Sequence, residues 1–133
     1  MTASHESPRT GQILIVDDVP TNLELLSRML RDRGHHVRTS RDGPHALRAV
    51  HSRPPDLILL DVFMPDIGGY EVIRDLAGKK ETRNIPIIVI TAKDFDRSTL
   101  DMFKAESNVV AFLTKPFRPK SLRATIRTIL AKE

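Results

Sequence analysis

Three aspartates, a threonine and a lysine stand where short apolar runs of this 133-residue chain end. ILIV at 13–16 runs into Asp17 and Asp18, and LILL at 57–60 into Asp61. IIVI at 87–90 runs into Thr91, and VVAFL at 109–113 into Thr114 and Lys115. Taken singly, each has a bland explanation, since an aspartate after a strand often caps a helix or begins a turn. Taken together they form a chemical set. Carboxylates held close together repel, and one is driven toward protonation unless a cation offsets them. Magnesium accepts hard oxygen ligands of this kind, and Lys115 adds a second positive charge. Phosphoryl transfer needs such a set, because its loose transition state asks mainly for positioning and charge stabilisation. A metal and a lysine can each hold one phosphoryl oxygen, Thr91 can donate to a third, and a carboxylate can attack phosphorus.

These residues meet only if their strands lie side by side and run the same way. The intervening segments predict that arrangement. Residues 20–33 carry Leu23, Leu26, Met29 and Leu30 near helical spacing, between Pro20 and Gly34. A strand at 37–40 follows, then a helix from Pro44 that Asp42 can cap and Pro54-Pro55 closes. Helices near 70–77, 96–106 and from Pro119 onward turn Val72, Ile73 and Leu76, then Leu100 and Phe103, then Leu122, Ile126, Ile129 and Leu130 inward. IPIIVI at 85–90 is the fourth strand. Five strand–helix units with doubly apolar strands predict an α/β fold: a right-handed, doubly wound parallel sheet covered on both faces. Ligands of such sheets sit outside the carboxyl ends of the strands, where the polar residues are.

Composition narrows the classes. Hydrophobic residues make up 40% of the chain and cysteine is absent, so disulfides and thiol chemistry are excluded. No apolar run is long enough to span a bilayer, and MTASHESPRTG lacks the apolar stretch of a secretory signal. A cytoplasmic location is expected, with residues 1–10 a flexible tail and 11–133 one domain. The net charge is +4, but there is no tryptophan and a single tyrosine, so a base-stacking platform is poorly supplied. Arg28, Arg31, Arg33, Arg38, Arg41, Arg48, Arg53, Lys79, Lys80 and Arg83 read as a dispersed, mostly solvated surface, and specific nucleic-acid binding is not expected. The histidines His5, His35, His36, His45 and His51 show no metal-ligand spacing.

ILIVDDVPTN at 13–22, DLILLDVFMPDIGGYEV at 56–72, IPIIVITA at 85–92 and FLTKPF at 112–117 together resemble the receiver domains of two-component response regulators, the CheY-like family. The resemblance spans about residues 11–132, and the intervals fit: 44 residues from Asp17 to Asp61 and 30 from Asp61 to Thr91. It implies a flavodoxin-like (βα)5 three-layer sandwich with strand order 2-1-3-4-5. It also implies roles. Asp61 is the phosphorylated residue. Asp17 and Asp18 hold Mg²⁺ with Asp61 and the backbone carbonyl of Phe63. Thr91 is the switch hydroxyl, with small Ala92 leaving the pocket open. Lys115 binds the phosphoryl group and precedes Pro116 through a cis peptide. Phe112 takes the switch-aromatic position. Phe63 and Lys93 border the path of a hydrolytic water, which implies a long-lived phosphoryl group. The partners implied are a histidine kinase or His-phosphotransfer protein and an output domain or downstream protein. The signal leaves through the fourth helix, fifth strand and fifth helix, a face that also allows a homodimer. Such a domain catalyses only its own phosphorylation and dephosphorylation, so it is not an enzyme in the ordinary sense.

Departures from the family pattern carry expectations of their own. Gly68 replaces a common Asp, which removes a side-chain cap before the third helix. Asn108 replaces Gly before the fifth strand, where Asn would tolerate a left-handed conformation. Two other classes share parts of the pattern. A HAD-like aspartyl-phosphate phosphohydrolase would want a second Asp where Phe63 stands. A flavin-binding, flavodoxin-like protein would want a phosphate-cradling loop where Asp17-Asp18 stands.

Overall fold

A computed structural model describes residues 10–62, 68–92 and 96–131. The elements alternate: β1 (Gln12–Val16), α1 (Pro20–Arg31), β2 (His36–Ser40), α2 (Gly43–Ser52), β3 (Leu57–Asp61), α3 (Gly68–Ala77), β4 (Ile87–Ala92), α4 (Arg97–Lys104), β5 (Val109–Lys115) and α5 (Pro119–Ala131). The five strands form one sheet in the order β2-β1-β3-β4-β5, all pairs parallel. This is the doubly wound order expected from the sequence.

The pleat explains why the central strands are apolar throughout. Leu14, Val16, Ile58, Leu60, Ile87 and Val89 pack on one face, against Ala46 and Val50 of α2, Val72, Ile73 and Leu76 of α3, and Phe103 of α4. Ile13, Ile15, Leu57, Leu59, Ile88 and Ile90 pack on the other, against Leu30 of α1 and Leu122, Ile126 and Leu130 of α5. Burying each such side chain contributes roughly 1.5–3 kcal/mol. The edge strand β2, HVRTS, is apolar only at Val37, and of its residues only Val37 and Ser40 are buried.

Local signals set several boundaries. Asp42 caps α2 by accepting from the His45 N–H at 2.9 Å, and Asp96 caps α4 by accepting from the Thr99 N–H at 3.0 Å. Gly34, after α1, has φ 93°, which a side chain would strain. Asn108 corrects an expectation. Among the described residues no non-glycine has positive φ, so Asn108 does not take the left-handed turn. It is buried instead, and its Nδ2 donates to the Ile73 carbonyl at 3.1 Å, tying the start of β5 to α3. Gly68 is itself the first residue of α3, so the capping position before it falls outside the described residues.

Candidate functional site: a carboxylate–lysine cluster at the strand ends

Parallel pairing brings the carboxyl ends of β1, β3, β4 and β5 to one edge. Asp61 is opposite Ile90, Thr91 opposite Thr114, and Ala92 opposite Lys115. The chemistry-bearing residues, up to 98 positions apart in sequence, therefore share one crevice.

Asp61 closes β3 and is only 3% exposed. The Lys115 ammonium, more than a third exposed, reaches it from β5 with Nζ 2.7 Å from Oδ2. Asp17, 2% exposed, lies within hydrogen-bonding reach of Asp61. Its Oδ1 accepts from the Val19 N–H at 2.9 Å and its Oδ2 from Asn22 Nδ2 at 3.2 Å. Burial pushes the Asp17 carboxyl up to about 6; the adjacent Asp61 adds to that push, and the Val19 N–H opposes it. Two buried carboxyls with one lysine between them hold more negative charge than the protein neutralises by itself.

Asp18 is exposed at the rim. Thr91 is 2% exposed beneath the site, and Ala92 beside it is half-buried. The Lys115–Pro116 peptide is cis. Phe112 is partly buried against the core on the α2–α4 face, with Lys104 Nζ of α4 5.6 Å from its ring centroid. Phe63 and Lys93 fall outside the described residues. Among the described residues, no three acidic, histidine or cysteine side chains form a ready-made metal cage. The expected set of Asp17, Asp18 and Asp61 is therefore not gathered as three; magnesium is commonly held by one or two carboxylates and keeps several waters. Asp17 and Asp61 provide that pair.

Sequence reasoning missed Asn22, which orients Asp17 from the first turn of α1. Its signal was present, five residues after Asp17 and just past Pro20. It also missed a polar cluster on the α3–α4 side. There Tyr70 donates to Glu106 at 3.0 Å, Arg74 pairs with the same carboxylate at 3.3 Å, and Phe103 meets the Tyr70 ring edge-on at 5.4 Å. Residues separated by 36 positions leave no local trace.

Comparison with known proteins agrees with this geometry. The profile of the response regulator receiver domain matches residues 13–127. Protein PilH of Pseudomonas aeruginosa is 35% identical over 121 residues, covering 91% of this chain and 98% of PilH. The response regulator PleD of Caulobacter vibrioides is 39% identical over 120 residues, but the match covers only 26% of PleD. Among solved structures, the receiver domain of a signal transduction histidine kinase from Syntrophus aciditrophicus superposes with TM-score 0.83 at 34% identity, covering 92% of this chain and 91% of that one. The chemotaxis response regulator CheY4 of Vibrio cholerae superposes with TM-score 0.80 at 27% identity, covering 91% and 99%. The strand order, the acid–lysine crevice at its carboxyl edge and the match along most of the sequence agree: this chain belongs to the response regulator receiver domain family of two-component signalling.

Proposed function

We propose that Asp61 accepts a phosphoryl group from a phosphohistidine on a histidine kinase or His-phosphotransfer protein, in the cytoplasm. The observation that carries this reading is the buried Asp61 carboxyl held 2.7 Å from Lys115 Nζ and beside a second carboxyl, Asp17. A carboxylate oxygen of Asp61 attacks phosphorus; the P–O bond forms as the donor's P–N bond breaks, and the imidazole leaves with a proton. Lys115 follows one phosphoryl oxygen, and the Thr91 hydroxyl donates to another. Mg²⁺, held by Asp17 and Asp61, with Asp18 and the Phe63 carbonyl completing the set, would neutralise charge on the phosphoryl oxygens. The chain's own chemistry stops at this transfer and its reversal by water.

Incubation with acetyl phosphate and Mg²⁺, followed by peptide mapping, tests the assignment. Labelling is expected at Asp61 alone, absent in Asp61→Asn and at least tenfold slower in Asp17→Asn. Labelling of another residue in the wild type would refute it. The phosphoryl group should be long-lived, because a Phe63 ring beside the scissile bond would keep an in-line water away. Phe63→Asn should then shorten its half-life, and an unchanged half-life would remove that argument.

A further inference from the structure

The arginines that look dispersed in sequence gather along one edge of the molecule. Residues 28–53 contain seven arginines and two aspartates, with no lysine and no glutamate. That surplus of five positive charges exceeds the +4 of the whole chain. The segment spans the end of α1, the edge strand β2 and all of α2. Six of its seven arginines border three adjoining hollows along the free edge of β2, the middle one lined also by Glu24 and Asp32.

The hollow at the amino end of β2 is the most one-sided. It is lined by Arg31, His35, His36, Arg38 and Arg53, with Gln12 and Val37, and among the described residues no carboxylate is in that lining. It is an open hollow of about 560 Å³. Two of its guanidiniums are fixed rather than free. Arg31 donates to the Val37 carbonyl at 3.1 Å. Arg38 donates to the Ala49 carbonyl at 3.1 Å and to the Arg53 carbonyl, bracing the end of α2. These bonds are to neutral carbonyls and leave the charge uncancelled; both Arg38 Nη atoms are engaged in this way, so Arg38 contributes charge, while Arg31 and Arg53 keep guanidinium nitrogens for a ligand. Arg38 is pushed below its usual range by burial and by the charge of Arg53, so like charges are crowded here. Asp42, the acid capping α2, is occupied by His45 at 2.6 Å. Asp56 accepts from the Gln12 N–H at 2.7 Å, so one carboxylate borders the hollow and offsets part of its positive charge.

A net positive set of guanidiniums, two of them held in place, suits one ligand chemistry. The guanidinium fork matches phosphate oxygens bidentately, which a lysine ammonium does not. We propose that the hollow formed by Arg31, Arg38 and Arg53 at the amino end of β2 binds a small phosphate-bearing anion, either free or as part of a nucleotide. The site is at the opposite end of the strands from Asp61, so it is independent of the phosphoryl-acceptor crevice.

The test is a ¹H–¹⁵N NMR titration of the full chain with inorganic pyrophosphate and, separately, with ADP. Mg²⁺ is omitted and salt is held at a physiological level, so that diffuse charge attraction is screened. Saturable shifts are expected at Gln12, His35 to Arg38 and Arg53, with those of Asp17, Asp61 and Lys115 unmoved. Arg53→Gln is the informative variant. Arg53 is exposed and offers Arg38 its backbone carbonyl, so the substitution keeps the fold and the Arg38 bond. It should weaken binding at least tenfold, whereas Arg127→Gln, an equal loss of charge on an exposed part of α5, should not. Equal affinity for the two probes would mean that the phosphate groups are the whole ligand. Tighter ADP binding would identify a nucleotide. Non-saturable shifts, shifts spread over all basic residues, or equal losses in the two variants would overturn the proposal.

Discussion

Burial of the Asp17 carboxyl ties the stability of the metal-free protein to pH. That carboxyl is raised from 3.8 to about 6, so the folded chain binds this proton more tightly than the unfolded chain does. The associated stability is present below about pH 4 and is lost as pH rises through 6. In chelator at pH 7, Asp17→Asn should therefore be more stable than wild type. The gain should be ~1 kcal/mol, well below full conversion of the shift because the crevice opens to solvent. Urea unfolding at pH 4.5 and 7 measures this, and a variant no more stable at pH 7 would contradict it. Adding Mg²⁺ at pH 7 should stabilise wild type and leave the variant nearly unchanged. At this scale much of the crevice was legible. Asp17, Asp61 and Lys115 each end an apolar run, and a parallel sheet has only one carboxyl edge. The direction of Asp18 was not legible, since adjacent residues leave a strand toward different sides. Nor was the role of Asn22, which depends on how α1 enters.

At the scale of elements, the joints between strands and helices hold less obvious chemistry. His35 lies in the connection from α1 to β2, and its Nδ1 accepts the Gly11 N–H at 3.2 Å, joining that connection to the start of β1. Burial holds the imidazole below its usual 6.5, so the fold favours the neutral ring that can accept this bond. Its contribution is complete above about pH 6.5 and is lost as pH falls below that value. His35→Asn keeps an acceptor near the Nδ1 position and removes the titration. Between pH 7.5 and 5.5 the wild type should lose more stability than this variant by urea unfolding; parallel losses would refute the linkage. Gly34, one residue earlier, makes a second test. Its φ of 93° and a Cβ that would approach Thr10 Cγ2 to 3.2 Å predict that Gly34→Ala costs about 1 kcal/mol or more. Strands β1, β3 and β4 were legible as apolar runs because they are buried on both faces. The two edge strands were less so: β2 carries His36 and Arg38, and β5 continues through Thr114 to Lys115. The helix expected near 96–106 is α4, Arg97–Lys104, which ends two residues earlier where the Glu106 N–H turns back to the Phe103 carbonyl.

At the scale of the whole molecule, the question is how a charge added at Asp61 reaches the opposite side of β4. The path we propose runs through Thr91, buried beneath the crevice, to Phe112 on the neighbouring strand, where Val89 and Phe112 are in register. The ring is already partly buried against the core, so completing its burial would contribute about 1 kcal/mol, roughly half of a full aromatic transfer. Opposing that movement is the Lys104 ammonium, 5.6 Å from the ring centroid, whose attraction to an exposed aromatic face is worth about 0.5–1 kcal/mol. The two terms nearly balance. A small gap of this kind is what a phosphoryl group can shift by drawing the Thr91 hydroxyl toward itself and leaving space for the ring. Beryllofluoride bound at Asp61 with Mg²⁺ should move NMR resonances at Thr91, residues 96–104 and Phe112, and should move α1 and α2 less. Lys104→Gln should move the same resonances part of the way without beryllofluoride, because it removes the term that holds the ring outward. Thr91→Ala should bind beryllofluoride yet leave Phe112 largely unshifted. A Thr91→Ala protein whose Phe112 responds as the wild type does would break the path at its first step. Responses confined to α1 and α2 would place the output on another face.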